Sequence, residues 1–227
     1  MPAIGITGGI ATGKTTFCRY LQELLPKAAF FDADKAARSL ADGDPEVRHA
    51  IRQAFGATVY STDGHLNRRL LRGIILQSRD QRLVLEQILH PRIRSQWSAE
   101  AQAHRHSSDF FFADIPLLYE TGGEILCDRV VVVACSPEVQ VRRLLNRDMH
   151  DPAVAGRHGT ADPGSGAQQP YSPEVAEALE LIKTQMPLER KMSLADHVVW
   201  NNDGEQVLRA QTADLVRLWQ AYSWTIS

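Results

Sequence analysis

Cysteine is scarce: three occur in 227 residues, and Cys18, Cys127 and Cys135 form no C-x-x-C pair. That spacing excludes a disulfide framework and a cysteine zinc site, and buried, reduced thiols of a cytoplasmic protein are expected instead. Positive charge is not in excess: 25 Lys and Arg against 27 Asp and Glu leave a formal charge of −2. Nothing in that balance calls for a nucleic-acid partner. Long apolar runs are missing as well. The longest, Val130 to Cys135, is far too short to cross a membrane, so no membrane partner is expected. The apolar stretch at the start has no basic segment ahead of it, is interrupted by glycines and is followed by Lys14, so no signal peptide is expected. No internal repeat is found.

Five short apolar runs are present: Ala3–Ile6, Ala28–Phe31, Phe110–Ala113, Val130–Cys135 and Val198–Trp200. Helical patterns fill the intervals. Unbroken apolar runs alternating with helices predict a parallel sheet covered on both faces. Ligands of such sheets sit at the carboxyl ends of the strands. The residues that follow the runs are Asp32 and Asp34, Asp114, Ser136 and Asn201. Residues 45–108 read as a helical block, with one apolar stripe through Leu66, Leu70, Leu71, Ile74 and Ile75 and another through Leu83, Leu85, Ile88 and Leu89. The stretch Asp151 to Pro173 is rich in Gly, Pro, Ala and Gln, and reads as a flexible loop. A helix is expected to restart at Ser172-Pro173, a cap followed by proline.

Gly8-Gly9-Ile10-Ala11-Thr12-Gly13-Lys14-Thr15 fits G-x-x-x-x-G-K-[ST] without mismatch, between a predicted strand and a predicted helix. The glycines let backbone N–H groups turn inward around phosphate oxygens, with Thr16 in the first turn of the helix behind them. The helix N-terminus adds positive charge, Lys14 reaches the terminal phosphates, and the Thr15 hydroxyl is a ligand for Mg²⁺. A nucleoside triphosphate is therefore the expected ligand. The N-K-x-D motif by which GTP-binding proteins read their base does not occur. A small chain with this loop, an acidic pair ending its second strand and a late Arg-rich segment suits a small-molecule kinase.

Further residues resemble one family, the dephospho-coenzyme A kinases. The similarity lies in Thr7 to Thr16, in Phe31-Asp32-Ala33-Asp34 with Ala37-Arg38-Ser39-Leu40, and in Leu66 to Arg72. It continues in Leu85 to His90-Pro91, in Asp114-Ile115-Pro116-Leu117-Leu118-Tyr119-Glu120 and in Gln140 to Asp148. It closes with Gln185, Lys191 and Ala195-Asp196 through Asn201. Two departures stand out: Asp151 to Pro173 has no counterpart in the family's short lid, and Leu181 stands where many members carry arginine. The resemblance implies a single α/β domain over 1–227. It is a three-layer P-loop kinase fold with a five-stranded parallel sheet, an inserted helical acceptor-binding block and a lid. The core would comprise 1–44, 109–148 and 192–227, the acceptor block 45–108, and the lid 149–191 with its flexible insertion 151–173. The implied substrates are ATP with Mg²⁺ and dephospho-coenzyme A, and the implied products are ADP and coenzyme A. Other readings are a nucleotide or shikimate-type kinase, or an ATP-dependent switch without an acceptor. A monomer is expected.

The resemblance gives Asp34 the task of orienting and deprotonating the acceptor hydroxyl; the plainer reading is an N-cap for a helix beginning at Lys35. Asp32 is read as a substrate contact or a structural residue. Arg143 and Arg147, four apart, suit a phosphate clamp or a solvated helix face, with Arg147 placed among the catalytic residues. Arg68 and Arg72 are read as holding phosphates of an anionic acceptor, or as a solvated face. The resemblance makes His90, Pro116 and Leu117 acceptor contacts, with a helix-end role as the alternative for His90-Pro91. Asp114 is expected near Mg²⁺ through water, or as a strand-end turn residue, and the resemblance puts Asn201 on the adenine side of ATP.

Overall fold

The period-two alternation of a strand sorts the residues of each apolar run between two helical layers. The structure, a computed structural model, describes residues 2–105, 109–150, 179–180 and 182–222, with backbone alone at 76 and 147–150. The strands are β1 (Ala3–Gly8), β2 (Ala29–Asp32), β3 (Phe111–Asp114), β4 (Arg129–Ala134) and β5 (His197–Trp200). They form one parallel sheet in the order β2-β3-β1-β4-β5. The chain builds outward from β1 in both directions, so the crevice at its carboxyl end is the switch point where such sheets bind ligands.

On one face Ile4, Ile6, Phe112, Val131 and Val133 pack with α1 (Lys14–Leu24) and with α8 (Glu205–Ala221), through Phe17, Leu21, Leu208 and Trp219 among others. On the other, Phe31, Phe111, Ala113, Val130 and Val132 pack against Trp97 of α5 (Arg79–Ala103). Met192 of the short α7 (Leu188–Leu194) adds to that layer. A third apolar cluster joins α5 to α2 (Ala33–Gly43), α3 (Pro45–Phe55) and α4 (Arg68–Gln77), through Leu40, Val47, Ile51 and Leu71. The helix α6 (Pro137–His150) follows β4.

Some boundaries differ from the expected ones. β2 and β3 extend to take in Asp32 and Asp114, which stand in register with each other, because ladder pairing rather than side-chain apolarity sets where a strand ends. His90-Pro91 does not end a helix: both lie inside α5. Proline there forfeits the bond to the Gln87 carbonyl. The guanidinium of Arg92 donates to the next carbonyl, that of Ile88, at 3.2 Å. Apolar packing on both sides of the proline, by Ile88 and Leu89 before it and by Ile93 and Trp97 after it, keeps the helix continuous. The 151–173 insertion, the helix expected at Ser172, Leu181 and the side chain of Arg147 lie outside the described residues.

Candidate active site

The phosphate loop is shaped by what grips its carbonyl groups. Gln140 donates from Nε2 to the Ile10 carbonyl at 2.8 Å, and Asn201 from Nδ2 to the Thr12 carbonyl at 2.8 Å. Arg143 reaches the Thr12 carbonyl at 3.2 Å and the Ala11 carbonyl at 3.5 Å, and its second nitrogen donates to the Asn201 carbonyl at 2.9 Å. The hydroxyl of Thr12 donates to the Gly9 carbonyl at 2.9 Å. Because a peptide is planar, holding the Ile10 and Thr12 carbonyls outward turns the N–H groups of Ala11 and Gly13 the opposite way, into a concavity that suits an anion. Gly13 sits at φ +94°, and a Cβ there would lie 2.0 Å from Asn201 Nδ2. Only glycine satisfies both conditions. A Cβ at Gly8 would likewise stand 2.5 Å from the Val133 carbonyl oxygen.

Arg143 and Asn201, expected at phosphate and adenine, both donate to carbonyl groups of the loop itself. Neither bond was visible from local sequence, since the partners are 131 and 189 residues apart. Gln140 and Gln185, to which no local pattern gives a role, join this clamp: the Gln185 side-chain oxygen accepts from the Ile10 N–H at 3.1 Å.

Lys14 opens α1 and pairs with Asp114 at the end of β3. Cys18, one turn further along α1, donates from Sγ to the other carboxylate oxygen of Asp114 at 3.5 Å. Burial first, and then the Asp114 charge, push the Cys18 thiol well above its ordinary range, so it is an inert donor and not a nucleophile. Thr15 and Asp32 line a second cleft with Asp114, on the far side of the start of α2 from Asp34.

Asp32, not Asp34, caps α2. Its carboxylate accepts from the Lys35 N–H at 3.0 Å, and the helix begins at Ala33. The helix-cap reading of Asp34 is thereby replaced: the chain leaves extended geometry two residues earlier than expected. Asp34 instead lies in the first turn and lines a cleft of about 740 Å³ with His90, Pro116 and Leu117. The walls of that cleft include Ile75, Leu85, Leu89, Ile93, Trp97 and Ile115, with Arg82 and Arg94 as cations that no sequence motif marks. Asp34 keeps solvent-accessible surface, yet the protein around it excludes enough bulk water to push its carboxyl above the ordinary carboxylate range; the Lys14 charge opposes that shift. Burial lowers the His90 ring, so near neutrality it offers hydrogen bonds and not a positive charge.

Arg68 and Arg72 are not among the residues lining this cleft. Arg68 pairs with Asp42 of α2, and Arg72 is exposed on α4. Arg94 lines the cleft and donates to the Thr121 carbonyl at 3.1 Å. Among the described residues no helix is long and apolar enough to cross a membrane. No group of three or more His, Cys, Asp or Glu side chains fit to hold a metal occurs among them either.

A five-stranded parallel sheet, a clamped phosphate loop after its central strand and a carboxylate-bearing cleft beside it define a P-loop kinase. The model of the dephospho-CoA kinase family matches residues 2–157. A dephospho-CoA kinase of Halalkalibacterium halodurans is 33% identical over 219 residues, 96% of each chain. One of Carboxydothermus hydrogenoformans is 34% identical over 227 residues, 99% of this chain and 98% of the other. The crystal structure of TT1252 from Thermus thermophilus covers 96% of this chain and 97% of its own, with 27% identity and a TM-score of 0.66. Dephospho-CoA kinase from Campylobacter jejuni, 22% identical with a TM-score of 0.61 and 96% of each chain covered, shares the fold. The chain belongs to the dephospho-CoA kinase family. It is a kinase that uses ATP.

Proposed function

We propose that this kinase transfers the γ-phosphoryl group of ATP to the 3′-hydroxyl of dephospho-coenzyme A, which is bound in the cleft between α2, α5 and the segment 115–123. The acceptor oxygen attacks the γ-phosphorus, its proton passes to the Asp34 carboxylate, and the bond to the β,γ-bridging oxygen breaks to release ADP. The observation that carries this reading is Asp34, which lines the cleft and at the same time feels the Lys14 charge. A carboxyl raised above its ordinary range is a stronger base once ionised, which suits a hydroxyl donor. Arg82 and Arg94 supply positive charge for the acceptor's pyrophosphate, and Trp97, Leu89 and Ile93 supply apolar wall.

Lys14 would leave Asp114 for the phosphates when ATP binds. The oxygen donors of Thr15 and Asp114 suit Mg²⁺, a hard cation that keeps few protein ligands and several waters. These oxygens would hold the ion where its charge would offset that of the transferring phosphoryl group. Arg147, near the end of α6, is proposed to contribute positive charge to the phosphates.

The test is an acceptor panel. With ATP and Mg²⁺, dephospho-coenzyme A should drive ADP release far better in kcat/KM than shikimate, AMP, GMP or adenosine. A better rate with one of these would keep the kinase and discard the acceptor. ADP release that ignores every acceptor would favour a nucleotide-driven switch.

A further inference from the structure

Among the described residues, Lys191 is the one charged side chain fully withdrawn from solvent. A buried charge is costly unless it is paired and hydrogen-bonded, and apolar replacements of such pairs are often as stable or more so. Stability alone therefore does not account for a lysine here. Its bonds point to another task. Nζ donates to the Pro116 carbonyl at 2.8 Å, pairs with Glu120 Oε1 at 2.9 Å and stands 3.4 Å from the Gly8 carbonyl. The Glu120 oxygen also accepts from the Met186 N–H at 2.9 Å, next to Gln185, which holds the Ile10 N–H. The Pro116 carbonyl takes a second bond, at 2.9 Å, from the Thr7 hydroxyl of β1. One ammonium thus joins the last residue of β1, where the phosphate loop opens, to Pro116 and Glu120, which line the acceptor cleft.

We propose that Lys191, acting through Glu120 and the Pro116 carbonyl, is a positioning residue that holds the acceptor wall in register with the phosphate loop. The inference rests on the assignment of that cleft to the acceptor. The loop itself has other holds in Gln140, Arg143 and Asn201. Loss of Lys191 should therefore spare nucleotide binding and damage transfer.

The experiment compares wild type, Lys191→Met and Glu120→Gln at a temperature where circular dichroism shows each folded. Mg·ADP affinity is measured by calorimetry without acceptor. Dephospho-coenzyme A turnover is measured alongside slow hydrolysis of ATP to water. Lys191→Met should keep Mg·ADP affinity within about threefold and lose roughly thirtyfold or more in acceptor kcat/KM, as expected of a misplaced acceptor. Its ratio of transfer to hydrolysis should fall. Glu120→Gln keeps an oxygen for both bonds and should lose only about fivefold, with the same sparing of nucleotide, in line with the smaller change in geometry. If Lys191→Met does not fold, Glu120→Gln decides: unchanged acceptor kcat/KM and an unchanged transfer ratio overturn the proposal. So does a folded Lys191→Met with wild-type kinetics, or one whose nucleotide affinity falls as far as its transfer. A wild-type enzyme that ignores dephospho-coenzyme A but turns over another panel member overturns the acceptor assignment on which the proposal rests.

Discussion

The phosphate loop and the acceptor cleft meet near Asp34, and they are held by different forces. The loop is held by directional bonds: Gln140, Arg143, Asn201 and Thr12 each fix a backbone carbonyl. The cleft is held mainly by packing, with Trp97, Ile93 and Ile115 continuous with the apolar layer beneath the sheet, and takes directional bonds at Pro116 and Glu120, where Lys191 ties its wall to the loop. Phosphate recognition needs N–H groups aimed at fixed points, and only hydrogen bonds give that precision. An acceptor with a long uncharged portion needs area and shape, which packing supplies. Damage to the first region should therefore appear in nucleotide affinity and chemistry, and damage to the second in acceptor KM.

The largest expected effect is at Lys14. Lys14→Ala should lower kcat by roughly 10²-fold or more in a folded protein, the loss typical of one preorganised charge or donor at a transferring group. Steady-state kinetics at saturating ATP check this, and full turnover would remove Lys14 from the chemistry. Arg143→Ala sharpens the comparison. It leaves the Thr12 carbonyl to Asn201 alone, and should weaken Mg·ADP binding about tenfold or more, the worth of a charge-assisted bond, with acceptor KM unchanged. Direct phosphate contact by Arg143 would show instead as a kcat defect with nucleotide affinity retained. On the other side, Arg82→Ala should raise acceptor KM roughly tenfold and leave ATP KM alone, again the worth of one charge-assisted bond. A shift in ATP KM of the same size would break the division between the two regions. The smallest effect belongs to Asp32→Ala, which should cost about 1 kcal/mol of stability through the lost cap. Thermal melts read it, and Asp32→Asn should restore it.

What could be read in the chain follows the same division. The loop motif, the strand runs and the position of Asp114 and Asn201 at the carboxyl ends of strands are local patterns, and the parallel sheet follows from them. The destination of Asn201 is not local: its amide turns back to Thr12, a bond that depends on β5 lying beside β4. The assignment of the α2 cap to Asp32 turns on where the backbone leaves extended geometry, and Asp at both 32 and 34 makes either choice acceptable to sequence. Pro91 looks like a helix end, and only the packing of α5 on two clusters overrides it. Arg82 and Arg94 carry no motif; they become cleft residues because α5 supplies one wall of the cleft.

The meeting of donor and acceptor at Asp34 is tested most directly by the pH dependence of kcat/KM in wild type and in Asp34→Asn. Exclusion of bulk water by the surrounding protein raises this carboxyl although it keeps accessible surface, so the wild-type acid limb should lie above the ordinary carboxylate range. The folded protein then holds the proton to higher pH than the unfolded chain does. Ionisation of Asp34 thus works against the fold as pH rises through the folded pKa, and the wild type loses stability there. Asp34→Asn should therefore be at least as stable as wild type near neutrality, with the difference vanishing at acid pH, since Asp32 and not Asp34 caps the helix. Its kcat should fall roughly 10²-fold or more, and the acid limb should disappear. Near-normal turnover with the acid limb intact in Asp34→Asn would contradict the assignment, and the acceptor hydroxyl would have to lose its proton elsewhere.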